Sequence, residues 1–108
     1  MEDLISLGRE LASAAEPGYF EHRTHDILAN RFRRRGFMLR EFAGMPGFAA
    51  TADGRDDARS SAKRVAVIAD MDGLPAPGDT PTYAHLCGHH QQMTAMFAAA
   101  CTLQDQAD

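Results

Sequence analysis

The sequence has no hydrophobic run near the ~20 residues that a helix needs to cross a bilayer, so no membrane partner is expected. It opens on Met1-Glu2-Asp3, an acidic start without the basic-then-apolar layout of a secretory signal, and a cytoplasmic location is expected. Cysteine is scarce: Cys87 and Cys101 are the only two, too few for a disulfide framework. If residues 88–105 form one helix, Cys101 lies about 20 Å along it from Cys87, at ~1.5 Å per residue, so no bond within the chain is expected. Positive charge is also short. A net charge of −4 gives no reason to expect nucleic acid. Arg31, Arg33, Arg34 and Arg35 cluster at the end of an expected helix, where cations complement the helix dipole and face solvent. Glycine-rich phosphate loops, nucleophile elbows and paired-glutamate motifs are missing as well.

What remains is ordinary globular material. The 108 residues are 44% hydrophobic and 24% charged, enough to bury the core of one domain, taken as residues 1–108, and not of two. Leu4, Ile5, Leu7 and Leu11 recur at helical spacing and predict an amphipathic helix over 2–14, broken by Glu16-Pro17-Gly18. A second helix is expected from Glu21 to Arg35, with Ile27, Leu28 and Phe32 inward and Gly36 as its left-handed cap. Residues 37–42 and 48–52 read as strands around a turn at Gly44–Gly47, and the polar stretch 53–63 as a solvated hairpin loop. Arg64 to Ala69 is nearly continuous apolar sequence, the pattern of a strand buried on both faces. Pro75, Pro77 and Pro81 mark 73–82 as loop. A last helix, 88–104, carries Met93, Met96, Phe97, Ala100 and Cys101 on its apolar face. The expected fold is a small single α/β domain in the order α-α-β-β-β-α.

Chemistry concentrates at residues 70–92. His-Leu-Cys-Gly-His-His-Gln-Gln, residues 85–92, sets His85, Cys87, His89 and His90 ahead of the last helix. Imidazole and thiolate are the donors zinc prefers. Cys87 and His89 can point at one ion if the chain bends at Gly88. Asp70 and Asp72 end the apolar run and alternate across it, so one of them, with His85 or His90, can add a donor. Asp72 suits the role of a carboxylate that fixes a ligating histidine's tautomer. Equally, a histidine-rich turn before a helix can be a polar surface loop with Cys87 as a small buried residue. His22 and His25 read as exposed helix residues, and Tyr19 and Tyr83 fall in no motif.

Residues 85–100 resemble the H-A-C-G-H-[DHN]-x-[HQ] signature and following helix of the zinc-dependent amidohydrolases. These form the branch of the aminoacylase and carboxypeptidase-type metallopeptidases that acts on hippurate, p-aminobenzoyl-glutamate and indole-acetyl-amino-acid substrates. Ala-Asp-Met-Asp-Gly-Leu-Pro, residues 69–75, is similar to their A-D-M-D-A-L-P, and residues 9–24 to their R-x-L-H-x-x-P-E-x-G-x-x-E-x-x-T. The resemblance implies the N-terminal portion of a three-layer α/β zinc-peptidase-like catalytic domain. It implies Cys87 and His89 as metal ligands, Asp72 as the carboxylate behind the site, and Asp70 where the peptidase branch has a ligand histidine. The family's ions, zinc or manganese, activate water and polarise an amide carbonyl. Ala12 and Ala15 replace a histidine and a proline of that pattern, and His90 and Gln92 replace the commoner aspartate and histidine.

The family's general-base glutamate and other ligands lie further downstream. Glu10, Glu16, Glu21 and Glu41 sit in no motif that makes any of them that base. The expectation is therefore an N-terminal fragment or degenerate relative of a hydrolase of N-acyl amino acid or similar amide bonds, not catalytically complete alone. A small amide substrate enters only if the site is completed. The alternative is a non-catalytic metal-binding or oligomerisation module. Uncovered sheet edges and apolar helix faces predict a homo-oligomer.

Overall fold

Asp3 starts the first helix by accepting a hydrogen bond from the Ser6 amide at 3.1 Å, the usual way to satisfy an orphan helix donor. The helix, α1, spans Leu4–Ser13 and buries Leu7 and Leu11, whereas Ile5 faces outward against expectation. A computed structural model describes residues 3–52, 64–79 and 81–106, and all structural statements concern these. The hairpin loop expected at 53–63 lies outside the described residues.

The second helix, α2, runs His22–Arg34 and ends as its sequence predicts, with Gly36 in the left-handed region at φ +84°. Strands β1 (Met38–Glu41) and β2 (Phe48–Thr51) form an antiparallel hairpin, Met38 opposite Thr51 and Glu41 opposite Phe48. The 73–82 segment contains more order than its prolines suggest. There β3 (Leu74–Pro75) pairs antiparallel with β4 (Tyr83–Ala84), because Pro75 needs no donor in so short an edge ladder. The third helix, α3, spans His89–Gln106.

Phe32 on α2 is the hub of the core. Its ring meets Phe37, Phe48 and Phe97 edge-on, with centroids 5.0, 5.9 and 4.9 Å away, so one side chain ties α2 to the hairpin and to α3. Leu7, Leu11, Leu28 and Met93 complete the cluster. Each such buried side chain contributes roughly 1.5–3 kcal/mol. The result is a small single α/β domain of mixed helices and strands.

Two further expectations change. The arginine cluster is not simply a solvated face. Arg31 reaches Glu10 on α1 at 2.6 Å, Arg33 reaches Glu41 on β1 at 3.3 Å, and Arg35 reaches Asp105 on α3 at 3.0 Å. Long guanidinium stems at a helix end span the gaps to neighbouring elements, which turns a charge run into three staples.

The apolar run 64–69 is not a strand buried on both faces. Among the described residues, 65–69 make no backbone hydrogen bond, and Val65, Val67 and Ile68 are 74%, 45% and 83% exposed. Its composition favours a strand, but a strand exists only against a neighbour, and the described residues supply none. At its end Ala69 and Met71 pack on the core.

Candidate functional site

Glu16 builds the first wall of the site. It follows α1 and turns its carboxylate onto the start of α2, accepting from the Arg23 and Thr24 amides at 3.0 and 2.7 Å and from the Thr24 hydroxyl at 2.8 Å. The N-cap residue Glu21 makes no side-chain capping bond, so Glu16 supplies from a distance what an N-cap normally supplies. The same residue's carbonyl accepts from the Gly73 amide at 2.6 Å. Gly73 fits because a Cβ there would meet Ala15 Cβ at 3.1 Å, Ala84 O at 3.3 Å and Glu16 N at 3.3 Å. Glycine is therefore needed for close backbone approach.

The second wall follows at once. Asp72 precedes Gly73, and a Cβ added at Gly18 would lie 3.9 Å from the Asp72 Cβ. His89, the first residue of α3, places Nδ1 3.0 Å from the Asp72 carboxylate and 2.8 Å from the Asp72 carbonyl. Its Nε2 lies 3.9 Å from Asp70 Oδ2. Gln92, one turn along α3, accepts from the Asp70 amide at 2.8 Å. Gly88, at φ +74°, makes the bend that lets the chain enter α3 here. Segments distant in sequence, 15–18, 70–73 and 88–92, thus meet.

His85 and His90 form a separate pair. Their rings stack with centroids 5.4 Å apart, and among the described residues neither His85 nitrogen nor His90 Nδ1 has a well-formed hydrogen bond. Burial holds the His85 imidazole below its ordinary value, and the charge of a protonated His90 or His89 pushes the same way. The backbone of Asp72 and Leu11 partly opposes this. Cys87 sits exposed in the turn before Gly88 and is not bonded to Cys101.

Among the described residues, no group of three or more His, Cys, Asp or Glu is gathered so as to hold a metal ion. Two donors on one tetrahedral zinc stand about 3.4 Å apart, given bonds of ~2.1 Å, against the 3.9 Å between His89 Nε2 and Asp70. The donors are right in kind, nitrogen, sulfur and carboxylate oxygen, but they fit only part of a coordination shell. No catalytic step follows from them alone.

The remaining candidates have structural roles. Glu10 and Glu41 are held by Arg31 and Arg33. Glu21 is buried, with Oε1 lacking a partner among the described residues. His25 is not the exposed helix residue its sequence suggests. It lies between Asp26 and Glu41, at 2.9 and 2.7 Å, with its ring edge-on to Phe48. Sequence reasoning also missed Glu16, Gly73 and Gln92 as the parts that assemble the site. The E-x-G-x-x-E-x-x-T spacing carried that signal for Glu16, since Thr24 sits where its amide and hydroxyl meet the carboxylate.

No helix among the described residues is long and apolar enough to cross a membrane. No family model matches the chain, and no solved structure matches it. Two curated proteins do, thermostable carboxypeptidase 1 and thermostable carboxypeptidase 2 of Saccharolobus solfataricus, each 26% identical over 113 residues. The match takes in 97% of this chain but 28% of either carboxypeptidase, so the chain spans little more than a quarter of the length of these relatives. The chain is distantly homologous to proteins of the carboxypeptidase and amidohydrolase kind.

Proposed function

We propose that the chain is the N-terminal part of the catalytic domain of a metal-dependent amidohydrolase or peptidase acting on N-acyl amino acid or similar amide bonds. The observation that carries this reading is the Asp72–His89 contact, at 3.0 Å, between two segments whose sequences resemble family motifs. A carboxylate holding one nitrogen of an imidazole leaves the other to face an ion. Cys87 and His89 are assigned as ligands of zinc or manganese, with Asp72 orienting His89 and with Asp70, His85 and His90 as further donors. These residues form part of a site, not catalytically complete alone, and the amide substrate belongs to the completed site. The chain is read as cytoplasmic, with no nucleic-acid or membrane partner.

Elemental analysis of untagged protein, before and after Cys87→Ala and His89→Ala, tests the assignment. Bound zinc or manganese that falls in both variants is expected, with no hydrolysis of N-acyl amino acids by the metal-loaded chain. Unchanged metal in both variants removes the assigned ligands, and turnover by the chain alone removes the claim of incompleteness.

A second reading, a non-catalytic module that binds metal and self-associates, is favoured by the exposed valine and isoleucine side chains at 65–68. In either reading the chain is a homo-oligomer.

A further inference from the structure

The first turn of α3 grips the aspartate segment at two points. His89 and Gln92 are three residues apart and so lie on one face of the helix. His89 Nδ1 meets the Asp72 carboxylate and carbonyl at 3.0 and 2.8 Å, and Gln92 Oε1 accepts from the Asp70 amide at 2.8 Å. A single contact leaves a pivot, whereas two fix the direction of the segment as well as its place. Met71, between the two aspartates, packs on the core and steadies it further.

We infer that Gln92 is a positioning residue of the metal site: by holding the Asp70 main chain it keeps the Asp70 carboxylate across from His89 Nε2, and metal affinity depends on Gln92 through Asp70. The inference rests on the proposed metal site and deepens it, because a glutamine is not among the donors that site is built from.

What Gln92 binds decides what it leaves. It takes the amide of Asp70, so the carboxylate spends no hydrogen bond on the attachment. That carboxylate comes 3.9 Å from His89 Nε2. With Nδ1 turned to two oxygens of Asp72, Nε2 of the neutral ring is an acceptor, and so is the Asp70 oxygen. Two acceptors held face to face repel each other unless a cation lies between them. Ligands of one tetrahedral zinc stand about 3.4 Å apart, so Asp70 has about 0.5 Å to close. Its exposed side chain can rotate that far while its main chain stays where Gln92 holds it. An amide oxygen suits the task. It accepts at every pH and brings no charge to compete with Asp70 for the cation.

Zinc titration of the whole untagged chain tests this. Gln92→Ala should lower zinc affinity about tenfold. Gln92→Glu, which keeps an acceptor oxygen at the same reach, should hold it at the parent's level or above. Position 92 is exposed and alanine is a strong helix former, so α3 itself is not weakened. Asp70→Asn removes the carboxylate, keeps the amide and should also cost about tenfold. Gln92→Ala combined with Asp70→Asn should lose no more than Asp70→Asn alone, because the glutamine acts through that carboxylate. Hydrogen exchange at the Asp70 amide reads the bond without metal: slow in the parent and in Gln92→Glu, fast in Gln92→Ala.

Unchanged zinc affinity in Gln92→Ala overturns the inference. So do losses that add in the double variant, which give Gln92 a role apart from Asp70, and an Asp70 amide that exchanges as fast in the parent as in Gln92→Ala. Cys87→Ala and His89→Ala separate this failure from that of the site itself. If both abolish zinc binding while Gln92→Ala leaves it alone, only the positioning role falls. If neither alters it, or the parent binds no zinc, the ligand assignment falls and takes the positioning role with it.

Discussion

Asp72 meets His89 through two oxygens at once, its carboxylate 3.0 Å and its carbonyl 2.8 Å from the same ring nitrogen. Both are acceptors, so that nitrogen carries the proton and Nε2 is the one with a lone pair to offer. The neutral ring is therefore expected as the Nδ1–H tautomer, read from its 15N chemical shifts. Asp72→Ala should release that preference and lower metal affinity by about 10–100-fold in a titration with zinc. A ring that keeps its tautomer in the variant would mean that the carbonyl alone sets it.

Glu16 holds the beginning of α2 with one carboxylate. Glu16→Ala strips two helix amides and the Thr24 hydroxyl of their acceptor, and should cost about 1–3 kcal/mol. Urea unfolding measures it. Glu10→Ala removes an exposed carboxylate paired with Arg31 and serves as the milder comparison, with a cost of up to about 1 kcal/mol.

Gly73 and Gly18 both lie beside the site, yet they should respond differently to alanine. A methyl at 73 enters contacts of 3.1 to 3.3 Å with two backbone atoms and a Cβ, and Gly73→Ala should destabilise by about 1–3 kcal/mol. A methyl at 18 finds its nearest neighbour at 3.9 Å, an ordinary contact, and should be tolerated. Thermal unfolding of the two variants separates them.

His85 makes stability depend on pH in a known direction. Its folded value lies below the unfolded one of about 6.5, so below that pH the unfolded chain binds more protons. Stability on this account is fully present above pH ~6.5 and is lost as pH falls through the lower, folded value. His85→Gln should flatten the acid side of the curve of midpoint temperature against pH, relative to the parent. An unchanged difference between pH 7 and pH 5 would assign that loss to other groups.

Helices and the hairpin were legible because periodicity and caps are local. Leu7 and Leu11, Leu28 and Phe32, Met93 and Phe97 are buried where their spacing puts them, and Gly36 and Gly88 take positive φ where the chain must turn. Misreadings came where a residue's partner lies far along the chain. Arg35 looked solvated because nothing nearby in sequence announces Asp105, and His25 looked exposed because Glu41 sits on another element. Residues 64–69 read as a buried strand because composition reports a preference, while burial depends on neighbours. Donor types at the site were legible in the same local way. How closely His89 approaches Asp70 and Asp72 was not, since that depends on contacts between segments far apart in sequence.

The junction between Glu16 and Gly73 is made by main chain. One amide of Gly73 and one carbonyl of Glu16 lock two stretches 57 positions apart, and side chains on either side are spectators to the bond. Neighbouring positions can then exchange histidine for aspartate, or aspartate for histidine, without dismantling the frame that presents them. Such a scaffold keeps its geometry whichever side chains it presents, so kinship can outlast most of the identities that would reveal it.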